Sequence, residues 1–205
     1  MIERARVFAR DEDFGLETSM EEYEKLLFLP ENETKKIELI DGYLVMMAGN
    51  ASFNHHRISG FIFSEIHHYL RGKICEVAQD INVYLFNESI GECKNVYQPD
   101  IMVGCDKERM TDRGYEGTPD LIIEVVSKST ARNDYFVKLN RYIDFGVKEY
   151  WIVDLDKNQI MVYLNDGDGP PTINKYTFDN VVKVGVFDDL YIDFNEVLRS
   201  VDVGT

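Results

Sequence analysis

Proline, cysteine and basic residues are all scarce in this chain, and several signatures that would identify a function at once are missing. Five prolines and 14 glycines in 205 residues exclude a collagen-like or low-complexity chain. No run approaches 18 apolar residues, so no transmembrane helix is expected. The N-terminal stretch MIERARVFARDEDF carries acids and lacks an apolar h-region, so a secretory signal is not expected either. The three cysteines, Cys75, Cys93 and Cys105, stand 18 and 12 residues apart. An odd count without CxxC spacing argues against both a disulfide framework and a zinc cluster, and predicts three reduced thiols in a cytoplasmic protein. There is no GxxxxGK[ST] phosphate loop, which speaks against an NTP-driven motor. Ser127, Ser129 and Thr130 lack the glycine pattern of a nucleophile elbow, so hydrolysis through a serine is not expected. Lys and Arg number 22 against 37 Asp and Glu, a net charge of −15. That balance counts against a wide, non-specific nucleic-acid surface. It is compatible with a small basic groove, and it supplies carboxylates for a cation site.

What is present suffices for a sizeable core, with 44% apolar and 29% charged residues. The length fits one domain comfortably. Thr18 or Ser19, each followed three residues later by a glutamate, opens a short helix that ends before Pro30. Asp41-Gly42 between the β-type runs 37–40 and 43–46 is a hairpin signal. Ile58, Phe61, Ile62, Ile66, Tyr69 and Leu70 keep helical spacing and predict a helix over 53–70. Strands are expected within 76–86, over 97–103, 120–126 and 149–154, and again at 159–164 and 173–178. A helix is expected over 130–145, stopped by Gly146, and a short one near 195–201. This order predicts an α/β chain with a central mixed sheet flanked by helices, an N-terminal helix-hairpin and a C-terminal β extension.

Two strands hold a carboxylate where burial makes one costly unless something binds it. Asp100 follows Pro99 at the start of Ile101-Met102-Val103. Glu124 interrupts the apolar run Leu121-Ile122-Ile123-Glu124-Val125-Val126, which suits a strand buried on both faces. They lie 24 residues apart, enough for two strands and a connection. If those strands pair, both carboxylates face one point, where a hard divalent cation is the natural partner. Asp120, in a second Pro-Asp pair, is four residues from Glu124 on one strand. At roughly 13 Å that is too far to share an ion, so a turn or strand-start role is expected. A basic group belongs beside a phosphate-cleaving centre. None stands at Val126, two residues beyond Glu124, whereas Lys138 lies in the following helix and can return across the sheet. Each residue has a plainer role as well. Asp100 could end a strand, and Glu124 could be an ion-pair partner of Arg132 or Lys138. Lys138 could sit on a helix surface bonded to Asp134, and Glu38 could be an ordinary hairpin carboxylate. The pair Tyr150-Trp151 is expected in the core rather than as a base-stacking platform.

The ordered set IELIDG (37–42), HHRISG (55–60), QPDI (98–101), TPDLIIEVVS (118–127), Asp134 with Lys138, and GVKEYWIVD (146–154) resembles the PD-(D/E)XK nuclease superfamily. More closely, it resembles the Uma-type putative restriction endonucleases within it. The likeness spans most of the chain. It implies a restriction-endonuclease-like fold, one domain over 1–205 with its core at about 52–155. It also implies a Mg²⁺- or Mn²⁺-dependent phosphodiesterase site at the sheet edge. Carried over, Asp100 and Glu124 bind the metal, the backbone carbonyl of Val125 completes the protein ligands, and Lys138 replaces the lysine usual at the position of Val126. Glu38 and His55 match two further family positions as accessory residues. The function expected is a metal-dependent DNA endonuclease, with DNA as partner, no membrane association, and a homodimer suited to cutting both strands. The alternatives are a catalytically silent binding or scaffold module, which the net charge favours, and a hydrolase of small phosphate esters.

Overall fold

The computed structural model describes residues 16–33, 35–46, 51–86, 94–126, 131, 133–167 and 169–200. Cys93, Ser127, Ser129, Thr130 and Arg132 lie outside them. Helix α1 (Met20–Leu27) starts with a capping box: Ser19 Oγ accepts from the Glu22 N–H, and the Glu22 carboxylate accepts from Ser19 N at 3.0 Å. It buries Tyr23, whose hydroxyl donates to the Ile37 carbonyl at 2.9 Å. Strands β1 (Ile37–Ile40) and β2 (Tyr43–Met46) form the expected hairpin. Asp41 and Gly42 both take positive φ, 54° and 83°, as a two-residue turn of matching twist requires. Helix α2 (Phe53–Leu70) is capped by Ser52 and buries Ile58, Ile62, Ile66 and Leu70, each worth about 1.5–3 kcal/mol of burial.

The strands that follow are short. They are β3 (Glu76–Ala78), β4 (Val83–Tyr84), β5 (Val96–Tyr97), β6 (Ile101–Gly104), β7 (Met110–Thr111) and β8 (Gly114–Glu116). Gln98-Pro99-Asp100 breaks the single strand expected over 97–103 into β5 and β6, because proline offers no ladder N–H. Strand β9 (Leu121–Val125) leads to a π-helix (Asn133–Lys138), then α3 (Leu139–Asp144), so the helix expected over 130–145 changes type along its length. Gly146, at φ 84°, ends it. Strands β10 (Glu149–Asp154), β11 (Gln159–Leu164), β12 (Thr172–Tyr176), β13 (Val181–Lys183) and β14 (Tyr191–Asp193) precede α4 (Phe194–Ser200).

Two six-stranded sheets result, in the orders β2-β1-β5-β4-β8-β7 and β12-β11-β10-β9-β6-β3. Both are mixed: β9 and β10 run parallel, as do β4 and β8, and the remaining pairs are antiparallel. Strand alternation sorts the second sheet's side chains between two cores. Ile101, Val103, Ile123, Trp151 and Val153 pack against α2 and the C-terminal segment around Phe178 and Phe194. Met102, Ile122, Tyr150 and Ile152 pack on the other face, against Tyr142 of α3 and Tyr97 and Ile40 of the first sheet. A third cluster joins α1 to the outer face of the first sheet. Trp151 is core, as expected. Its Nε1 donates to Glu149, which also accepts the N–H groups of Gly185 and Val186 and so fastens the C-terminal segment to the sheet.

The cysteine expectation is overturned. Strands β3 and β6 pair antiparallel with Glu76 opposite Gly104, which makes Cys75 and Cys105 the next cross-strand pair. They form a disulfide with Cα atoms 3.9 Å apart. Spacing along the chain is blind to ladder register, and register set this bond. Among the described residues no helix is long and apolar enough to cross a membrane.

Candidate active site

Strand register brings Asp100 and Glu124 together. Ile101 stands opposite Ile123, and the same register continued one residue sets Asp100 opposite Glu124. Both point to the layer between the sheets, the side that Met102 and Ile122 occupy. Asp100 accepts the Val125 N–H at 2.7 Å on Oδ2, which also lies 3.0 Å from His55 Nε2. Its Oδ1 accepts from Lys36 Nζ at 3.3 Å. Burial pushes the Asp100 carboxyl up, but Lys36, His55 and the Val125 N–H outweigh it and hold the group well below the usual carboxylate range. Burial lowers His55, and the Asp100 hydrogen bond and charge raise it further than burial lowers it.

Glu124 lies one strand deeper. Its Oε1 accepts from Lys138 Nζ at 2.9 Å and from the Tyr142 hydroxyl at 3.2 Å. Lys138 Nζ also lies 2.9 Å from Glu38 Oε1 and 3.5 Å from Asp134 Oδ1. The lysine is 1% exposed, so the helix-surface role is excluded although the contact to Asp134 exists. Glu38 Oε1 accepts the Gln98 N–H at 3.0 Å, and its Oε2 is buried without a hydrogen-bond partner among the described residues. Burial works against the Lys138 charge, but Glu124, Glu38 and Asp134 raise it well above an ordinary lysine. Burial pushes Glu124 up to about 8 against the pull of Lys138 and Lys36, with Asp100 and Asp134 adding to the rise. Three buried carboxylates sharing one ammonium leave surplus negative charge, and a proton on Glu124 relieves it.

That surplus tests the fit of a cation. Mg²⁺ takes one or two protein carboxylates and keeps several waters, so a pair of facing carboxylates meets its demand. A cation there would offset the same negative charge that favours a proton on Glu124. Among the described residues no group of three or more His, Cys, Asp or Glu side chains is arranged as a metal cage. The donors on offer are therefore the Asp100–Glu124 pair and main-chain or water oxygens.

All six residues singled out in the sequence meet here: Asp100, Glu124, Val125, Lys138, Glu38 and His55. Asp120 stands apart at the start of β9, where it accepts the Cys105 N–H at 2.8 Å and pairs with Lys148. Sequence reasoning missed Tyr142 and Lys36. The signal for Lys36 was available, since it stands two residues before Glu38 and a strand puts such residues on one face.

The family model for Uma2, described as a putative restriction endonuclease, matches residues 20–190. The uncharacterized protein sll1609 of Synechocystis sp. is 31% identical over 141 residues, covering 67% of this chain and 77% of its own. A second Synechocystis protein, the uncharacterized slr1290, is 29% identical over 155 residues, 75% of this chain and 78% of its own. A crystal structure described as a putative nuclease belonging to DUF820 from Anabaena variabilis superposes with a TM-score of 0.68 at 19% identity. The match covers 88% of this chain and 97% of that one, and shows a shared fold. With the family model matched over most of its length, the chain belongs to the Uma2 family of putative restriction endonucleases.

Proposed function

We propose that the protein is a Mg²⁺- or Mn²⁺-dependent endonuclease that hydrolyses DNA phosphodiester bonds. The observation that carries this reading is the facing of Asp100 and Glu124 across the β6–β9 ladder, on a surplus of buried negative charge. The cation, held by Asp100, Glu124 and the backbone carbonyl of Val125, would supply Lewis acidity at the phosphate and a water of lowered pKa. Asp100 stays ionised because Lys36, His55 and the Val125 N–H hold it so. His55 orients the Asp100 carboxylate from the first turn of α2. Lys138 and the Tyr142 hydroxyl fix Glu124 Oε1, and Glu38 fixes Lys138 in turn. A homodimer would place two such sites on the two strands of a duplex. The cytoplasm is the compartment in which DNA would be met, although structural disulfides are uncommon there.

The net charge of −15 favours one competing reading, a silent scaffold that uses this fold to bind a protein. One experiment separates them: titrate wild type and Glu124→Ala with Mg²⁺ and Mn²⁺ by calorimetry, and run plasmid nicking on the same samples. Binding and nicking that both vanish in the variant are expected. Asp100→Asn should likewise abolish metal-dependent nicking and stay folded; undiminished nicking in that variant would sink the assignment.

A further inference from the structure

A basic group beside the scissile phosphate would stabilise the charge that grows there, and Lys138 is badly placed to be that group. Its ammonium is buried and faces Glu38, Glu124 and Asp134. An ammonium carries three donors, and three carboxylates surround this one. It sits behind Glu124 and offers nothing to a ligand arriving at the carboxylate pair.

Lys36 has the opposite character. It lies just ahead of β1, two residues before Glu38 and therefore one pleat, about 6.6 Å, further out along the same face. Its side chain is 25% exposed, against 7% for Asp100. Nζ donates to Asp100 Oδ1 at 3.3 Å, its one hydrogen bond among the described residues, so two of its three donors remain. Burial works against its charge, and Glu124 and Asp100 outweigh that, with Lys138 opposing and Glu38 adding. Two ammonium groups thus bracket the carboxylate pair, one sealed behind Glu124 and one partly exposed beside Asp100. The four-carbon stem of a lysine lets its head follow a ligand without moving the strand.

We infer that Lys36 is a catalytic residue, its ammonium contacting a non-bridging oxygen of the scissile phosphate, while Lys138 is a positioning residue that acts through Glu124. The inference rests on the nuclease reading above. In the hydrolysis a water oxygen forms the new bond to phosphorus and one bond from phosphorus to a sugar oxygen breaks. The proton of the water leaves to solvent, and the sugar oxygen takes one from solvent. Lys36 keeps its proton throughout and neutralises charge that grows on the phosphate oxygens.

The test uses the full chain as wild type, Lys36→Met, Lys36→Gln and Lys36→Arg. The Gln variant removes the charge and keeps a polar, hydrogen-bonding side chain, so it serves if the Met variant is unstable. Duplex oligonucleotide binding is measured with Ca²⁺ over a salt series, and single-turnover nicking with Mg²⁺ and Mn²⁺. Loss of one phosphate contact should lower the slope of log affinity against log salt by about one. Nicking should fall about 100-fold or more in the Met and Gln variants, with partial recovery in the Arg variant. An active wild type whose Met and Gln variants nick within threefold of it, or keep its full salt slope, overturns the Lys36 assignment alone. A wild type that neither binds nor nicks DNA overturns the nuclease reading, and the phosphate contact with it.

Discussion

Replacing Lys138 by methionine keeps most of the apolar volume and removes one charge. The change leaves Glu38, Glu124 and Asp134 buried around a group that no longer carries charge. Glu124, pushed up to about 8, already holds a proton through most of the neutral range. At least one further carboxyl in the cluster must then take a proton for the fold to persist. Against the unfolded chain, where the reference value for a glutamate is about 4.3, one such proton costs about 4 kcal/mol at pH 7.5 and about 1.6 kcal/mol at pH 5.5. The higher figure falls within the roughly 3–5 kcal/mol typical of removing one partner from a buried ion pair. Set against a total of about 5–15 kcal/mol for a domain, the variant should fold but be badly weakened at neutral pH. Urea unfolding followed by Trp151, the single tryptophan and fully buried, reads this directly. Lys138→Met should lose about 4 kcal/mol relative to wild type at pH 7.5 and recover more than half of it at pH 5.5. A loss below about 1 kcal/mol at pH 7.5, or an equal loss at both pH values, refutes the account of a lysine that neutralises a buried acidic cluster.

Glu124 gives a pH signature of its own in the metal-free protein. Its folded pKa, about 8, lies above the reference value of 4.5, so the folded state binds the proton more tightly. The stability it contributes is complete below about pH 4.5 and is lost as pH rises to about 8, at up to about 1.4 kcal/mol per pH unit. Urea midpoints at pH 5, 6, 7 and 8 should show that decline in wild type and a flatter line in Glu124→Gln; parallel lines would contradict it. Asp100, held low, acts below this window and does not interfere. Reduction of Cys75–Cys105, which closes a separation of 30 residues, should cost up to about 3–4 kcal/mol by loop-entropy reasoning. Thermal unfolding with and without reductant tests it, with a Cys75→Ser/Cys105→Ser variant expected to match the reduced protein; an unchanged midpoint argues against the bond's contribution.

The parts of this fold that could be read ahead were those written in local chemistry. Helix α2 announced itself through Ile58, Ile62, Ile66 and Leu70 at helical spacing, and Asp41-Gly42 announced the hairpin. The apolar runs of β9 and β10 needed no partner to be recognised as buried strands. What escaped depends on partners distant in sequence. Strands β7, β8, β13 and β14 are two or three residues long, too short for alternation to show. The Cys75–Cys105 bond follows from the β3–β6 register, which no spacing rule contains. Within the site, Asp100 and Glu124 stood out because carboxylates seldom interrupt such strands. Lys36 did not, because a lysine ahead of a strand is ordinary until its stem is seen to reach a buried aspartate 64 residues away.

The π-helix at Asn133–Lys138 carries a consequence for how this chain tolerates change in length. A π turn closes its hydrogen-bonded ring over one residue more than an α turn does. Removing a single residue from that stretch would let it relax into α geometry with little change in span. The wider turn spends its extra residue on about the same rotation, so residues beyond the deletion would keep their direction about the helix axis. Lys138 would go on facing Glu38 and Glu124, and Tyr142 facing Glu124, whereas a residue removed from α3 ahead of Tyr142 would turn Tyr142 by about 100°. The wide turn at Asn133–Lys138 therefore stores one spare residue, and the chain tolerates a shorter count there but not within α3.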